Sequence, residues 1–226
     1  MMLLAIATAA VLKRRGDRSL PLSPSERLGI ALGAFCGAMI AAKLPYVLLD
    51  REGLLSGRAW LDNGKTILFG LTGGYLGVEL AKAILGVRVK TGDSFAVPVA
   101  AAVAVGRLAC FVGGCCYGKP TGLPWGVVFH DGIPRHPAQL YEAAFHASAA
   151  VFLAWCERKG LFRLQRIKVY FIAYLVYRFF TEFLRPEPIV ALGLTAYQWG
   201  ALLLLPVLAW LWHRDAPAAR RASARA

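Results

Sequence analysis

Acidic side chains are scarce in this chain. Asp and Glu total 13 against 26 Lys and Arg, and charged residues of both signs make up only 17% of the 226 residues. Hydrophobic residues make up 58%, more than the roughly half of a soluble domain. That balance excludes a soluble protein with an ordinary charged surface. Cysteines are also few, 5 in all and odd in number. They contain no CxxC pair and no regular spacing, which excludes a disulfide framework and a paired-cysteine zinc pattern. No metal site and no cofactor are expected. No internal repeat is visible. A cleavable signal peptide is not expected either, because MMLLAIATAAVL runs straight into Lys13, Arg14 and Arg15 without a convincing cleavage site.

What is present is a series of apolar blocks, most of them near the roughly 20 residues that cross a bilayer. They run Met2 to Leu12, Leu28 to Leu49, Thr66 to Val87, Phe95 to Cys115, Pro137 to Trp155, Val169 to Leu184 and Tyr197 to Trp212. The first is too short to span unaided. The expectation is an all-α, polytopic membrane bundle of about seven transmembrane helices. It forms one domain over residues 1–213, with 116–135 a polar, Gly/Pro-rich segment and 214–226 a basic tail.

The formal net charge of +13 would suggest nucleic acid in a soluble protein. Here the basic residues sit in short loops between apolar blocks, so no nucleic-acid partner is expected. Lys13, Arg14, Arg15, Arg18 and Arg27 follow block one; Arg88 and Lys90 follow block three. Arg158, Lys159, Arg163, Arg166 and Lys168 follow block five; Arg214, Arg220, Arg221 and Arg225 lie in the tail. The alternate loops are poorer. Arg51, Arg58 and Lys65 are balanced by Asp50, Glu52 and Asp62, only Lys119 and Arg135 follow block four, and Arg185 lies near Glu187. The positive-inside rule then predicts an outside N-terminus, an inside C-terminus and an outward 116–135 segment.

Ionisable residues inside a bilayer are costly and point to function. Arg107 lies late in block four. Tyr174, Arg178, Glu182 and Arg185 in block six are spaced for one helix face. Such a stripe must face the bundle interior or a wet cavity. Guanidinium groups converging at the headgroup level can clamp a phosphate, a task lysine performs less well. The plainer alternative is an Arg–Glu pair that only ties helices together. Lys43 and Glu79 also fall inside spans, the latter placed to pair with Lys82. In RHPAQLYEA, His136 precedes Pro137 at a helix start, where it is either a base or a cap. Gln139, Tyr141 and Glu142 add polar groups to the first turns, and Glu142 suits the helix dipole.

The segments GRLACFVGGCCYGKPTGLPWGVVF, PRHPAQLYEA, YLVYRFFTEFLRPEP and TAYQWG together resemble the prolipoprotein diacylglyceryl transferase family, over about Leu28 to Leu211. The resemblance implies a bacterial inner-membrane enzyme of seven spans. It would move the diacylglyceryl group of phosphatidylglycerol to the lipobox cysteine thiol of a prolipoprotein, releasing glycerol phosphate. Its expected partners are phosphatidylglycerol, the lipobox peptide and membrane lipids. By motif, Arg107 corresponds to the lipid-binding arginine and Arg178 to the other essential one. Tyr174, Glu182 and Arg185 match the polar stripe, and Gly118 matches the glycine closing the GRL block. His136, Gln139, Tyr141 and Glu142 match HPxQLYE. The resemblance places Arg178, His136, Tyr174 and Glu182 in the chemistry, and Arg107, Arg178, Arg185 and Gly118 at the lipid.

Three positions depart from the familiar pattern. Thr72 in LTGGYLG stands where a histidine is usual, Cys110 replaces an asparagine, and Cys115 replaces a glutamate. The chain is therefore expected to be a divergent branch. Cys110, Cys115 and Cys116 offer three thiols with no fourth ligand at zinc spacing, leaving packing, a disulfide, metal binding or direct thiol chemistry open. Three functions stay open at this level. They are the prolipoprotein transferase, the same lipid chemistry with another acceptor, and a non-catalytic phospholipid-binding or thiol-redox protein on the same scaffold.

Overall fold

The computed structural model describes residues 2–16, 20–49, 51–60 and 66–224. Arg18, Asp50, Asp62, Lys65 and Arg225 of the loop-charge pattern lie outside them. In chain order the described elements are α1 (Met2–Gly16), α2 (Pro24–Leu49), α3 (Arg51–Ser56), α4 (Ile67–Leu85) and α5 (Gly92–Val112). Then come β1 (Val127–Val128), β2 (Pro134–Arg135), α6 (Ala138–Arg158), α7 (Arg166–Thr181), β3 (Ile189–Ala191), β4 (Leu194–Thr195) and α8 (Ala196–Ala224).

Each apolar block of the sequence falls on one helix, and helix dominates as expected. The all-α expectation lacked two short antiparallel pairs, β1 with β2 and β3 with β4. Among the described residues, three helical segments are long and apolar enough to cross a membrane: Pro24–Pro45, Ile67–Leu85 and Gly92–Val112. The chain is a membrane protein on this ground. Helix α7, at 16 residues, is about 24 Å long, and its polar stripe lowers its hydropathy. Helix α8 runs on through the predicted tail to Ala224 despite Pro206 and Pro217.

Leu20–Val89 form one compact unit, and Met1–Ser19 with Lys90–Ala226 form another. In the first, α2 and α4 pack backbone to backbone. A Cβ on Gly37 would sit 2.3 Å from the Gly73 carbonyl oxygen, and one on Gly77 would sit 2.1 Å from that of Gly33. Small residues permit this approach where lipid supplies no hydrophobic drive between helices. Lys43 donates to the Trp60 carbonyl, and Lys82 pairs with Glu79 at 3.0 Å, as its spacing predicts.

In the second unit, α5 packs against α1, α6 and α7, and α7 packs against α8. Lys13 of α1 lies 3.7 Å over the Phe95 ring of α5. One end of this group of helices is pinned by charge. Asp93 accepts the backbone N–H groups of Leu164 at 2.6 Å and Arg166 at 2.9 Å. Asp215 of α8 pairs with Lys168 at 2.6 Å and Lys90 at 2.8 Å. These anchors set the rotation of the helices whose other ends carry the site.

Candidate active site

Three helices converge on one carboxylate. Glu142, one turn into α6, is 2% exposed. Its Oε2 lies 2.6 Å from Arg107 Nε of α5, and its Oε1 lies 3.3 Å from Arg178 Nη1 of α7. Arg185 Nη1 approaches Oε2 at 4.0 Å, and the Tyr174 hydroxyl donates to Oε1 at 3.5 Å. Arg178 is 1% exposed. Its second arm meets Glu182 at 2.8 Å, and it stacks over the Tyr197 ring at 4.5 Å. Thr195 donates to the other oxygen of Glu182 at 3.0 Å. A cleft beside this cluster is lined by Tyr141, Glu142, Tyr177, Arg178, Thr181 and Arg185.

The predicted stripe on block six therefore exists, but not as one α-helical face. Helix α7 ends at Thr181, and Glu182–Leu184 form a 3₁₀ turn. Arg185 follows in extended backbone, φ −104° and ψ 148°, because Pro186 disfavours the helical conformation in the residue before it. The extended residue still aims its guanidinium at the cluster. Arg185 also donates to the Cys116 carbonyl at 3.0 Å and to Glu187 at 3.2 Å.

The polar segment after α5 wraps this end. Gly118 donates to the His136 carbonyl at 2.8 Å, Lys119 donates to the Leu184 carbonyl at 2.7 Å, and His136 donates to the Lys119 carbonyl at 3.1 Å. A Cβ on Gly118 would lie 2.7 Å from both the His136 Cβ and the Leu184 carbonyl oxygen. The absence of a side chain at Gly118 lets the two ends of the site close together. Gln139, fully buried, donates to the Cys115 carbonyl at 2.6 Å.

His136 stands apart from the carboxylate cluster. Its Nδ1 shares a 3.3 Å hydrogen bond with the Tyr141 hydroxyl, which accepts from Trp125 Nε1 at 2.9 Å. None of the five cysteines is joined in a disulfide. A hydrogen bond to Cys110 draws the Cys116 thiol down to about 5; burial opposes this, and the Arg107 and Arg185 charges assist it.

Two features lie beyond the sequence reading. Glu142 is the hub of the arginines rather than a helix-dipole residue. His146, buried on the same face of α6, bonds the Tyr170 hydroxyl through Nδ1 at 2.9 Å. The 139, 142, 146 spacing on α6 is the same one-face signal as on α7, and applying it there would have found both.

A family model described as "Prolipoprotein diacylglyceryl transferase" matches residues 1–214. The chain belongs to the prolipoprotein diacylglyceryl transferase family. It is similar to the phosphatidylglycerol–prolipoprotein diacylglyceryl transferase of Clostridium tetani, 32% identical over 198 residues, covering 83% of this chain and 80% of the relative. The protein of the same name from Solidesulfovibrio magneticus is 34% identical over 207 residues, covering 84% and 75%. That from Methylococcus capsulatus is 32% identical over 216 residues, covering 89% and 82%.

Within this family member the departure at Thr72 has a local account. The Thr72 hydroxyl donates to the Leu68 carbonyl of its own helix at 3.0 Å. The glycines beside it, Gly73 and Gly77, are required by the α2–α4 contact. The LTGGYLG segment therefore keeps its glycines for packing, whatever residue precedes them.

Proposed function

We propose that this chain transfers the diacylglyceryl group of phosphatidylglycerol to the lipobox cysteine thiol of prolipoproteins. The reading is supported most by the convergence of Arg107, Arg178 and Arg185 on one buried point, in a chain of this family. Seven helices of a single domain over 1–213 cross the bacterial inner membrane, with the N-terminus outside and the basic tail of 214–226 inside. The site then opens near the outer leaflet, where phosphatidylglycerol and secreted prolipoproteins meet.

The chemistry forms a carbon–sulfur bond and breaks the bond between the glyceryl carbon and a phosphate oxygen. Glycerol phosphate leaves with the electron pair, and the thiol loses its proton, because the thiolate is the nucleophile. Arg107, Arg178 and Arg185 stabilise charge growing on the leaving phosphate. Donors held in place in a dry site are worth far more than in water. Glu142, Tyr174 and Glu182 hold those arginines in position before lipid arrives. His136, bonded to Tyr141, is the base for the incoming thiol. Gln139 and Gly118 shape the entrance through the backbone of Cys115 and of His136.

Complementation tests the reading. A bacterium depleted of its resident diacylglyceryl transferase would express this chain, with Arg178→Ala as control. Growth with lipid-modified lipoproteins, lost in the control, is the expected result. A well-inserted chain that transfers label from phosphatidylglycerol to small thiols but not to a lipobox peptide would overturn the acceptor assignment.

A further inference from the structure

Cys110, Cys115 and Cys116 play no part in the proposed transfer, yet the fold gathers them. On a continued α-helix, Cys115 and Cys116 would stand about 140° and 240° around the axis from Cys110, pointing away from it and from each other. The chain instead leaves α5 at Gly113 and reverses through Gly114, φ 63°, and Cys116, φ 62°. A left-handed conformation is unfavourable at a non-glycine residue, because its Cβ crowds the following carbonyl oxygen. The reversal brings the three Sγ atoms within 4.8 Å of one another. Three thiolates on one zinc ion, with bonds of about 2.3 Å, stand about 3.8 Å apart. The observed spacing is thus within about 1 Å of a closed shell.

The sequence spacing offers no fourth ligand, but the tertiary fold brings an imidazole to the same turn, just outside the three-thiol cluster. Phe129 stacks on Tyr117 at 5.0 Å and meets Phe111 edge-on at 6.0 Å. This lays the next residue, His130, over the turn. A Cβ on Gly114 would lie 2.4 Å from His130 Nε2, so an imidazole nitrogen sits against the residue that precedes Cys115. The carbonyls of Cys115 and Cys116 are held by Gln139 and Arg185. Such outer contacts orient ligating residues at metal sites.

We propose that Cys110, Cys115 and Cys116 bind one soft, zinc-class metal ion, and that His130 turns in from beside Gly114 to complete a tetrahedral three-sulfur, one-nitrogen site. Binding displaces the thiol protons to solvent, because the ligand is the thiolate. Thiolate and imidazole select zinc-class ions over magnesium or calcium. The site is independent of whether the chain transfers diacylglycerol.

The test uses the full chain in detergent micelles, reduced, stripped with chelator and kept anaerobic, with Co2+ as the spectroscopic probe and Zn2+ as competitor. One equivalent of Co2+ is expected to give thiolate charge-transfer absorption and tetrahedral visible bands, both bleached by Zn2+. Cys110→Ala, Cys115→Ala and Cys116→Ala are each expected to weaken binding at least 100-fold, and Cys36→Ala to leave it unchanged. His130→Ala is expected to weaken it about tenfold or more. Thermal unfolding of the metal-free variants confirms that each is folded, and Cys115→Ala, an exposed position, is the mildest of them. A folded wild-type chain with no band at one equivalent would overturn the site. So would a band that survives joint loss of Cys110 and Cys116. Unchanged affinity in His130→Ala would remove the imidazole from the ligand set.

Discussion

Arg107 Nε and Glu142 Oε2 lie 2.6 Å apart, with their side chains 8% and 2% exposed. The cation expected at the lipid is thus held in place by a carboxylate from the neighbouring helix, and Arg178 takes the other oxygen of the same group. Removing one partner of a buried ion pair leaves an uncompensated charge and costs about 3–5 kcal/mol.

The hub and its spokes are expected to respond differently. Glu142→Gln leaves Arg107 without its carboxylate and takes one partner each from Arg178 and Arg185, and is expected to lower stability by about 3–5 kcal/mol, read as a fall in thermal midpoint in micelles. Arg107→Ala leaves Glu142 paired with Arg178 and Arg185, and its stability loss is expected to be smaller. Its transfer of labelled lipid is expected to fall about 100-fold or more. Wild-type turnover in Arg107→Ala would remove that residue from the phosphate site.

His136→Gln is expected to lower kcat by about 100-fold or more, the range of a positioned general base. The KM for phosphatidylglycerol is expected to change little, because His136 bonds Tyr141 rather than the arginine cluster. A selective rise in KM with unchanged kcat would show a binding role instead.

Thr72→Ala is expected to retain activity, since its hydroxyl is occupied by the Leu68 carbonyl. Gly77→Val is expected to be far more damaging, because even a Cβ there would meet the Gly33 carbonyl at 2.1 Å. Gly74→Ala, where the new Cβ meets its nearest atoms at 3.4 Å, is the mild control. Transfer of labelled lipid checks Thr72→Ala, and expression with thermal midpoint checks the two glycine variants.

The anchor at Asp215, beyond the apolar part of α8, carries a pH signature. Burial raises its pKa, but hydrogen bonds from Lys168 and Lys90 outweigh this and hold it at about 2, against an ordinary 3.8. A depressed carboxyl stabilises the fold fully above its unfolded value. That stability is lost as pH falls through the folded value. The stability gap between wild type and Asp215→Asn is therefore expected to be constant above about pH 5 and to shrink below about pH 4. Denaturant unfolding across pH checks it, and a constant gap down to pH 2 would refute the assignment.

Much of the site was legible as residue types but not as partners. The apolar blocks located the helices to within about four residues at each end except the C-terminus of α8, which runs twelve residues past Trp212, because burial in lipid demands continuous hydrophobicity. Arg107 and the Arg178 stripe stood out for the reverse reason, as charges where charge is costly. Glu142 read as an ordinary first-turn acid, since one carboxylate near a helix start has a local explanation. His146 carried a helical-spacing signal but no local oddity. Arg185 was placed on a helix face that Pro186 cuts short.

The sequence by itself determined the helical membrane class, the helix positions and the two arginine-bearing segments, since these follow from composition and from spacing along one chain. The tertiary structure decided which charges meet. Glu142, Arg107 and Arg178 come from three helices with no shared periodicity. Only packing, and the anchors that set helix rotation, bring them within bonding distance. The same holds for the cysteines, whose spacing names no site until two left-handed residues fold the chain back over Cys110.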